Sequence, residues 1–267
     1  MANDAPVGVL DSGVGGFSVL RELINIMPNE NYIYLGDSAR CPFGPRSPAE
    51  LRIIGSEMID FLVNKGCKAV VLACGTLSVN AKRFLEERYP QLKIVGMNKG
   101  AKTALTFTRN KRIGVMATQA TIAGGAHARE IERLNSAIAV FPQACPKWAD
   151  LIEAGQSDSP EFAEVAMLHC QPLIKAGTDT IILACTHYPL VKDRLRKIFG
   201  EQTLLIDPAT DTAKDARRIF SLRKMLSNRS GYGTIQIFFT GAIEPAKTLA
   251  RKFLDADVAI DRVSITG

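Results

Sequence analysis

The sequence contains no run of the roughly 18 uninterrupted apolar residues needed to span a membrane. Its start, "MANDAPVGVL", lacks a basic segment leading into a long apolar stretch. No membrane partner is expected, and the reading is a soluble, cytoplasmic protein. The six cysteines, at 41, 67, 74, 145, 170 and 185, show neither C-x-x-C pairing nor regular spacing. That argues against a disulfide framework and for reduced thiols. With no H-x-x-x-H and no Cys/His cluster, nothing points to a metal site. No aromatic-rich RNA-binding motif or zinc-finger spacing occurs, so nucleic acid is not an expected partner. The nearest approach to a dinucleotide fingerprint is "DSGVGG" at 11–16, and Ser18 stands where the third glycine of G-x-G-x-x-G belongs.

What is present is a chain of 267 residues with 46% hydrophobic content, enough to bury a full core in one large domain or two small ones. The net charge of +6 is concentrated in "KDARRIFSLRKMLSNR" (214–229), where Arg217, Arg218, Arg223, Lys224 and Arg229 alternate with Ile219, Phe220, Leu222, Met225 and Leu226. This spacing predicts an amphipathic helix with a solvated basic face, the alternative being attraction of anionic ligands.

Strand and helix signals alternate. "VGVL" (7–10) reads as a short buried strand, and "FSVLRELINIM" (17–27) as a helix stopped by Pro28. "YIYLG" (32–36) is the next strand. A Pro/Gly-rich loop then leads to Ser47-Pro48-Ala49-Glu50, a helix start with Ser as N-cap, Pro at N1 and Glu at N3. Strands at 68–73, 93–97 and 112–116 continue the pattern, which predicts an α/β fold with mainly parallel sheets.

The chain also echoes itself. "VGVLDSG" (7–13) returns as "IGVMATQ" (113–119) and "VVLAC" (70–74) as "IILAC" (181–185), in the same order and at nearly the same offset. Two pseudo-symmetric α/β lobes are expected. Ligands of open α/β sheets sit beyond the carboxyl ends of the strands, which puts Cys74 and Cys185 at a cleft between the lobes. A single Cys after a strand is ordinarily inert packing. A pair placed alike suggests two thiols acting as base and acid on opposite faces of one carbon, which is racemisation. The thiolate form needs suitable neighbours near neutral pH, and Thr76, Thr186 and His187 stand beside the two cysteines.

Asp11 and Ser12 follow the first strand in a glycine-rich loop suited to an anionic ligand, although Asp11 as a plain N-cap reads equally well. Of the three histidines, His127 and His169 read as packing or surface residues, and His187 has the better case for chemistry.

Taken together, these residues resemble the cofactor-independent glutamate racemases. The likeness is carried by "GVLDSGVGGFSVLRE", "YLGDSARCPFG" (34–44), "ACGT" (73–76), "GVMATQATI" (114–122), "ACPKWADLIEAG" (144–155), "ILACTHYPL" (182–190) and "FTGAIEP" (239–245). The resemblance implies a first lobe of 1–98 plus 208–267 and an inserted second lobe of 99–207, with the active site between them. It implies Cys74 as the residue acting on the D-isomer and Cys185 on the L-isomer, assisted by Asp11 and His187. Ser12, Phe43, Gly44, Gly75, Thr76 and Thr186 would line the substrate, with Glu153 at the auxiliary acid position. No pyridoxal phosphate, nucleotide or metal is implied. Glutamate as substrate, D-glutamate supply to peptidoglycan and a homodimer are implied, and family analogy adds a cell-wall precursor activator and a DNA gyrase contact as partner classes.

Some positions depart from the family pattern. Gly75 stands where an Asn amide normally helps bind the substrate, Leu77 replaces a usual Ala, and Phe43 replaces a common Tyr. Three readings follow: a glutamate racemase, a related racemase acting on another amino acid, or a weakly active homologue with a binding role. Both thiols are present, which favours the first.

Overall fold

The computed structural model describes residues 3–254 and 258–265, apart from the side chains at 252 and 253. Its strands are β1 (Val7–Asp11), β2 (Tyr32–Gly36), β3 (Ala69–Leu72), β4 (Lys93–Gly96), β5 (Arg112–Ala117), β6 (Ala139–Ala144), β7 (Thr180–Leu183), β8 (Leu204–Ile206), β9 (Ile235–Phe239) and β10 (Ile260–Arg262). The chain divides into two compact units, one running to Asn98 and resuming at Ala209, the other Lys99–Pro208.

The first unit holds a six-stranded sheet in the order β10-β9-β2-β1-β3-β4, and the second a four-stranded sheet in the order β6-β5-β7-β8. Every strand pair is parallel. The order β2-β1-β3-β4 within the first sheet is the order β6-β5-β7-β8 of the second, so the sequence echoes occupy matching strands. Buried on both faces, such strands consist of short unbroken apolar runs rather than polar/apolar alternation, as in "AVVL" and "TIIL".

Local chemistry sets the helix limits. Ser47 Oγ accepts the Glu50 N–H at 3.3 Å while Glu50 Oε2 accepts the Ser47 N–H at 2.9 Å, a reciprocal cap that starts the helix Pro48–Asn64. The expected helix over 214–229 is corrected: it spans Ala209–Leu222. Lys224 adopts a left-handed φ of 53°, and the Met225 N–H turns back to the Phe220 carbonyl at 2.8 Å, which closes the helix. Arg223, Lys224, Met225, Leu226 and Arg229 therefore lie beyond it, and Leu222 is exposed. The strand expected at 68–73 is one residue shorter at each end, Ala69–Leu72, and Lys68 before it pairs with Glu30 at 2.6 Å.

Candidate active site

In each unit the third strand delivers a cysteine two residues past its end. Ala73 N–H bonds to the Leu10 carbonyl at 2.9 Å, and Ala184 N–H to the Met116 carbonyl at 2.8 Å, so both chains stay in register with the central strand for one residue more. Side chains alternate across a strand, which puts Val70, Leu72 and Cys74 in one core cluster and Ile181, Leu183 and Cys185 in another. By parity each thiol takes the corresponding face of its own sheet, and both are buried.

Beside Cys74 runs β1, ending at Asp11. Asp11 is fully buried, and its Oδ2 accepts the Gly16 N–H at 2.8 Å. The N-cap of the helix Phe17–Ile26 is Gly16, so Asp11 does not cap that helix; it tethers the loop before it. A Cβ on Gly16 would lie 2.7 Å from the Asp11 Cβ and 2.6 Å from the Tyr34 hydroxyl, so only glycine allows this approach. Ser12 and Thr76 are buried nearby in sequence, and the Thr76 carbonyl accepts the Asn80 amide at 2.9 Å. Gly75 opens the short helix Gly75–Asn80. Phe43 is 1% exposed and its ring belongs to the core. Only the backbone of Phe43-Gly44 is therefore left to face a ligand, and the Phe43 carbonyl already accepts the Arg46 N–H at 3.2 Å.

Leu77 is wholly buried in the core cluster, with its Cδ2 3.5 Å from where a Cβ on Gly55 would stand. Its bulk fills space left by Gly55 on the neighbouring helix. Residues two apart on a helix project to nearly opposite sides, so Leu77 does not occupy the space a side chain at 75 would use.

The second unit builds a line of three groups. His187 Nδ1 lies 3.7 Å from Cys185 Sγ, and His187 Nε2 lies 2.6 Å from Glu153 Oε1. Burial alone would lower the imidazole pKa, but the bonds to Cys185 and Glu153 outweigh it and hold His187 well above the usual range. The contacts with the acid and the thiol thus favour the protonated ring. Glu153 ends the helix Trp148–Glu153, which packs Trp148 on Tyr188 with ring centroids 4.9 Å apart. Thr186 is buried between Cys185 and His187 in the chain.

The remaining cysteines behave differently. Burial pushes Cys67 and Cys170 up to about 12. Cys145 is pushed well above the ordinary thiol value, by burial first and then by Cys170 and Cys185. His127 is pushed down to about 4 by burial and Lys99, as a packing residue would be, and His169 stacks against Trp148 at 6.1 Å.

One group at this end of the first sheet went unmarked in the sequence reading. Asp37 follows β2 as Asp11 ends β1, is fully buried, and accepts Arg40 Nε at 2.6 Å and the Thr240 hydroxyl at 2.7 Å. Its N–H donates to the Asp11 carbonyl at 3.0 Å. An acidic residue directly after an apolar run, "YIYLGD" beside "VGVLD", was the available signal.

The sequence model of the Asp/Glu/Hydantoin racemase family matches residues 7–216. A glutamate racemase from Roseiflexus sp. is 41% identical over 259 residues, covering 97% of this chain and 94% of its own. Among solved structures, a glutamate racemase from Bacillus anthracis superposes with a TM-score of 0.90 at 32% identity, covering 98% of both chains. One from Francisella tularensis in complex with D-glutamate gives 0.88 at 29% identity, also over 98% of both. On this match in sequence and fold, the chain belongs to the Asp/Glu/hydantoin racemase family and, within it, to the glutamate racemases.

Proposed function

We propose that this protein interconverts L- and D-glutamate by two-thiol proton transfer, with Cys185 acting on the L-isomer and Cys74 on the D-isomer. The observation that carries the reading is the identical placement of the two thiols in two sheets of the same strand order. In one direction the Cys185 thiolate takes the α-proton, leaving a carbanion whose charge spreads into the carboxylate. The Cys74 thiol then gives its proton to the opposite face and becomes the thiolate. The reverse direction exchanges the roles, and solvent exchange resets the pair.

The bonds of His187 to Cys185 and Glu153 supply the support for that half-reaction. Cationic His187 stabilises the Cys185 thiolate as an ion pair, and Glu153 keeps the imidazolium oriented. Asp11, tethered by the Gly16 N–H, assists Cys74 in this reading as a proton acceptor for the thiol and not as a counter-ion. Ser12, the Phe43-Gly44 backbone, Gly75, Thr76 and Thr186 bind the substrate in this reading, without a cofactor. The reading includes a cytoplasmic homodimer supplying D-glutamate to peptidoglycan. No helix among the described residues is long and apolar enough to cross a membrane.

Racemisation in deuterated water tests the mechanism. Solvent deuterium is expected on the product isomer before the substrate pool is labelled, and Cys74→Ser and Cys185→Ser are each expected to abolish racemisation in both directions. Equal early labelling of both isomers, or full activity in either variant, would overturn it. Running aspartate beside glutamate decides the substrate.

A further inference from the structure

Of the residues assigned above, Asp11, Ser12 and residues 74–76 and 185–187 stand at the carboxyl ends of β1, β3 and β7, Phe43-Gly44 lie in the loop after β2, and Glu153 ends a helix. The carboxyl ends of β2, β9 and β10 carry a second feature, a cavity of about 350 Å³ within the first unit. This lies in the ~300–1,000 Å³ range of small-ligand sites, at the edge of a parallel sheet where such ligands bind. It is lined by Asp37, Ala39, Arg40, Thr240, Arg262 and Val263–Ile265.

The polar groups of this wall are unequally satisfied. The Asp37 carboxylate is paired with Arg40, which it shares with Glu57, and bonded by Thr240, as described above. Arg40 Nη1 binds Glu57, but Arg40 Nη2 is buried with no acceptor. A buried unmet guanidinium donor is costly. Arg262, exposed at the end of β10, has no acidic partner among the described residues. Opposite these cations, Val263 and Ile265 are half-buried against the core. The cavity therefore offers one cation without an acidic partner among the described residues, the Ser264 hydroxyl and a short apolar wall, with the unmet Arg40 Nη2 buried behind it.

We infer that this cavity binds a small oxyanion carrying a few apolar carbons, a carboxylate or a phosphate monoester, read by Arg262 and by Arg40 Nη2 after a small rotation of its guanidinium. Both candidate classes share the planar or tetrahedral oxygens that a guanidinium fork pairs with. The same wall is tied to the proposed active site through covalent and hydrogen-bonded links: Asp37 N–H holds the Asp11 carbonyl, and Arg40 leads directly into Cys41-Pro42-Phe43-Gly44. Arg46 clamps that loop by two bonds to the Arg40 carbonyl, at 2.7 and 3.1 Å. A ligand on Arg40 thus acts on the segment assigned to glutamate binding, and its occupancy is read as a change in KM for glutamate. This last step rests on the function proposed above; the binding itself does not.

The test is calorimetry on the intact protein with butyl phosphate, butyrate, inorganic phosphate and, as the uncharged control, butanol, each with and without saturating glutamate. Butyl phosphate or butyrate is expected to bind one to one, butanol not at all, and saturating glutamate not to displace the anion. Whichever anion binds more tightly identifies the source. Arg262→Glu is expected to weaken binding by at least about tenfold, and Arg40→Lys, which keeps the charge but removes Nη2, to weaken it as well. Arg262 is exposed, so its variant tests the site without threatening the fold. Absence of saturable binding up to about 10 mM, unchanged affinity in Arg262→Glu, or competitive displacement by glutamate would each overturn the inference. Binding without a KM change would leave the site standing and remove its link to the Phe43-Gly44 loop.

Discussion

Glu153 Oε1 lies 2.6 Å from His187 Nε2, while the other ring nitrogen of His187 faces the Cys185 sulfur. Thirty-four residues apart in sequence, the half-buried acid and the buried imidazole form a pair, and the contact helps hold the His187 pKa above its ordinary range.

Removing the Glu153 charge lowers the His187 pKa towards its ordinary value. Glu153→Gln should reduce kcat/KM by about 10- to 100-fold, the loss expected for a hydrogen bond to a charged group. It should also move the alkaline limb of the pH profile to lower pH. An unmoved limb would detach Glu153 from the titration of His187.

The same raised pKa carries a stability signature. A group whose folded-state pKa exceeds its unfolded value contributes fully below the unfolded value, about 6.5 for imidazole, and loses that contribution as pH climbs through the folded one. The unfolding free energies of parent and His187→Gln should therefore differ most near about pH 6 and converge towards alkaline pH. A gap that stays constant in urea titrations would mean His187 is not held cationic.

Gly75→Asn should raise kcat/KM on glutamate by roughly ten- to a few hundredfold, since an amide bonded to a charged substrate group contributes about 1.5–3 kcal/mol. Leu77→Ala should not add to this gain. Buried against Gly55, Leu77 should instead cost about 2–5 kcal/mol of stability when truncated. The four-variant set, assayed for turnover and for urea midpoint, separates the two effects; a gain from Leu77→Ala in turnover would restore Leu77 to the pocket wall.

Mass mapping of iodoacetamide adducts should find Cys67 and Cys170 nearly unmodified near pH 8, because a thiol at about 12 holds only about one thiolate in ten thousand there, and Cys145, raised well above the ordinary thiol value by burial, should be as inert. Glutamate should protect Cys74 and Cys185. Protection confined to the other three would move the site.

Lys68 and Glu30 form a buried pair, and Glu30 also accepts the Ser227 N–H at 2.8 Å. Lys68→Ala leaves that carboxylate buried without its cation and should cost about 3–5 kcal/mol. Lys68→Ala with Glu30→Gln should recover part of the loss in thermal melts.

Much of this protein was written in short-range pattern. The strand–helix alternation, the Ser47 cap and the repeated strands follow from residue spacing, because strand and helix periodicity and capping depend on residues a few positions apart. The repeat even singled out Cys74 and Cys185, since parity along a strand fixes which face a residue two positions past its end takes.

What the sequence left undecided depends on groups distant in the chain. The end of the helix at Leu222 rests on a left-handed Lys224 that periodicity alone does not reveal. Leu77 reads as a neighbour of residue 75 until packing places it against Gly55. The burial of the Phe43 ring in the core, which leaves its backbone for the contact assigned to it, is likewise a matter of packing. The charge on His187 and the cavity beside Arg40 arise only where separate segments bring acids, cations and buried surface together, because desolvation and Coulomb interaction act through space and not along the chain.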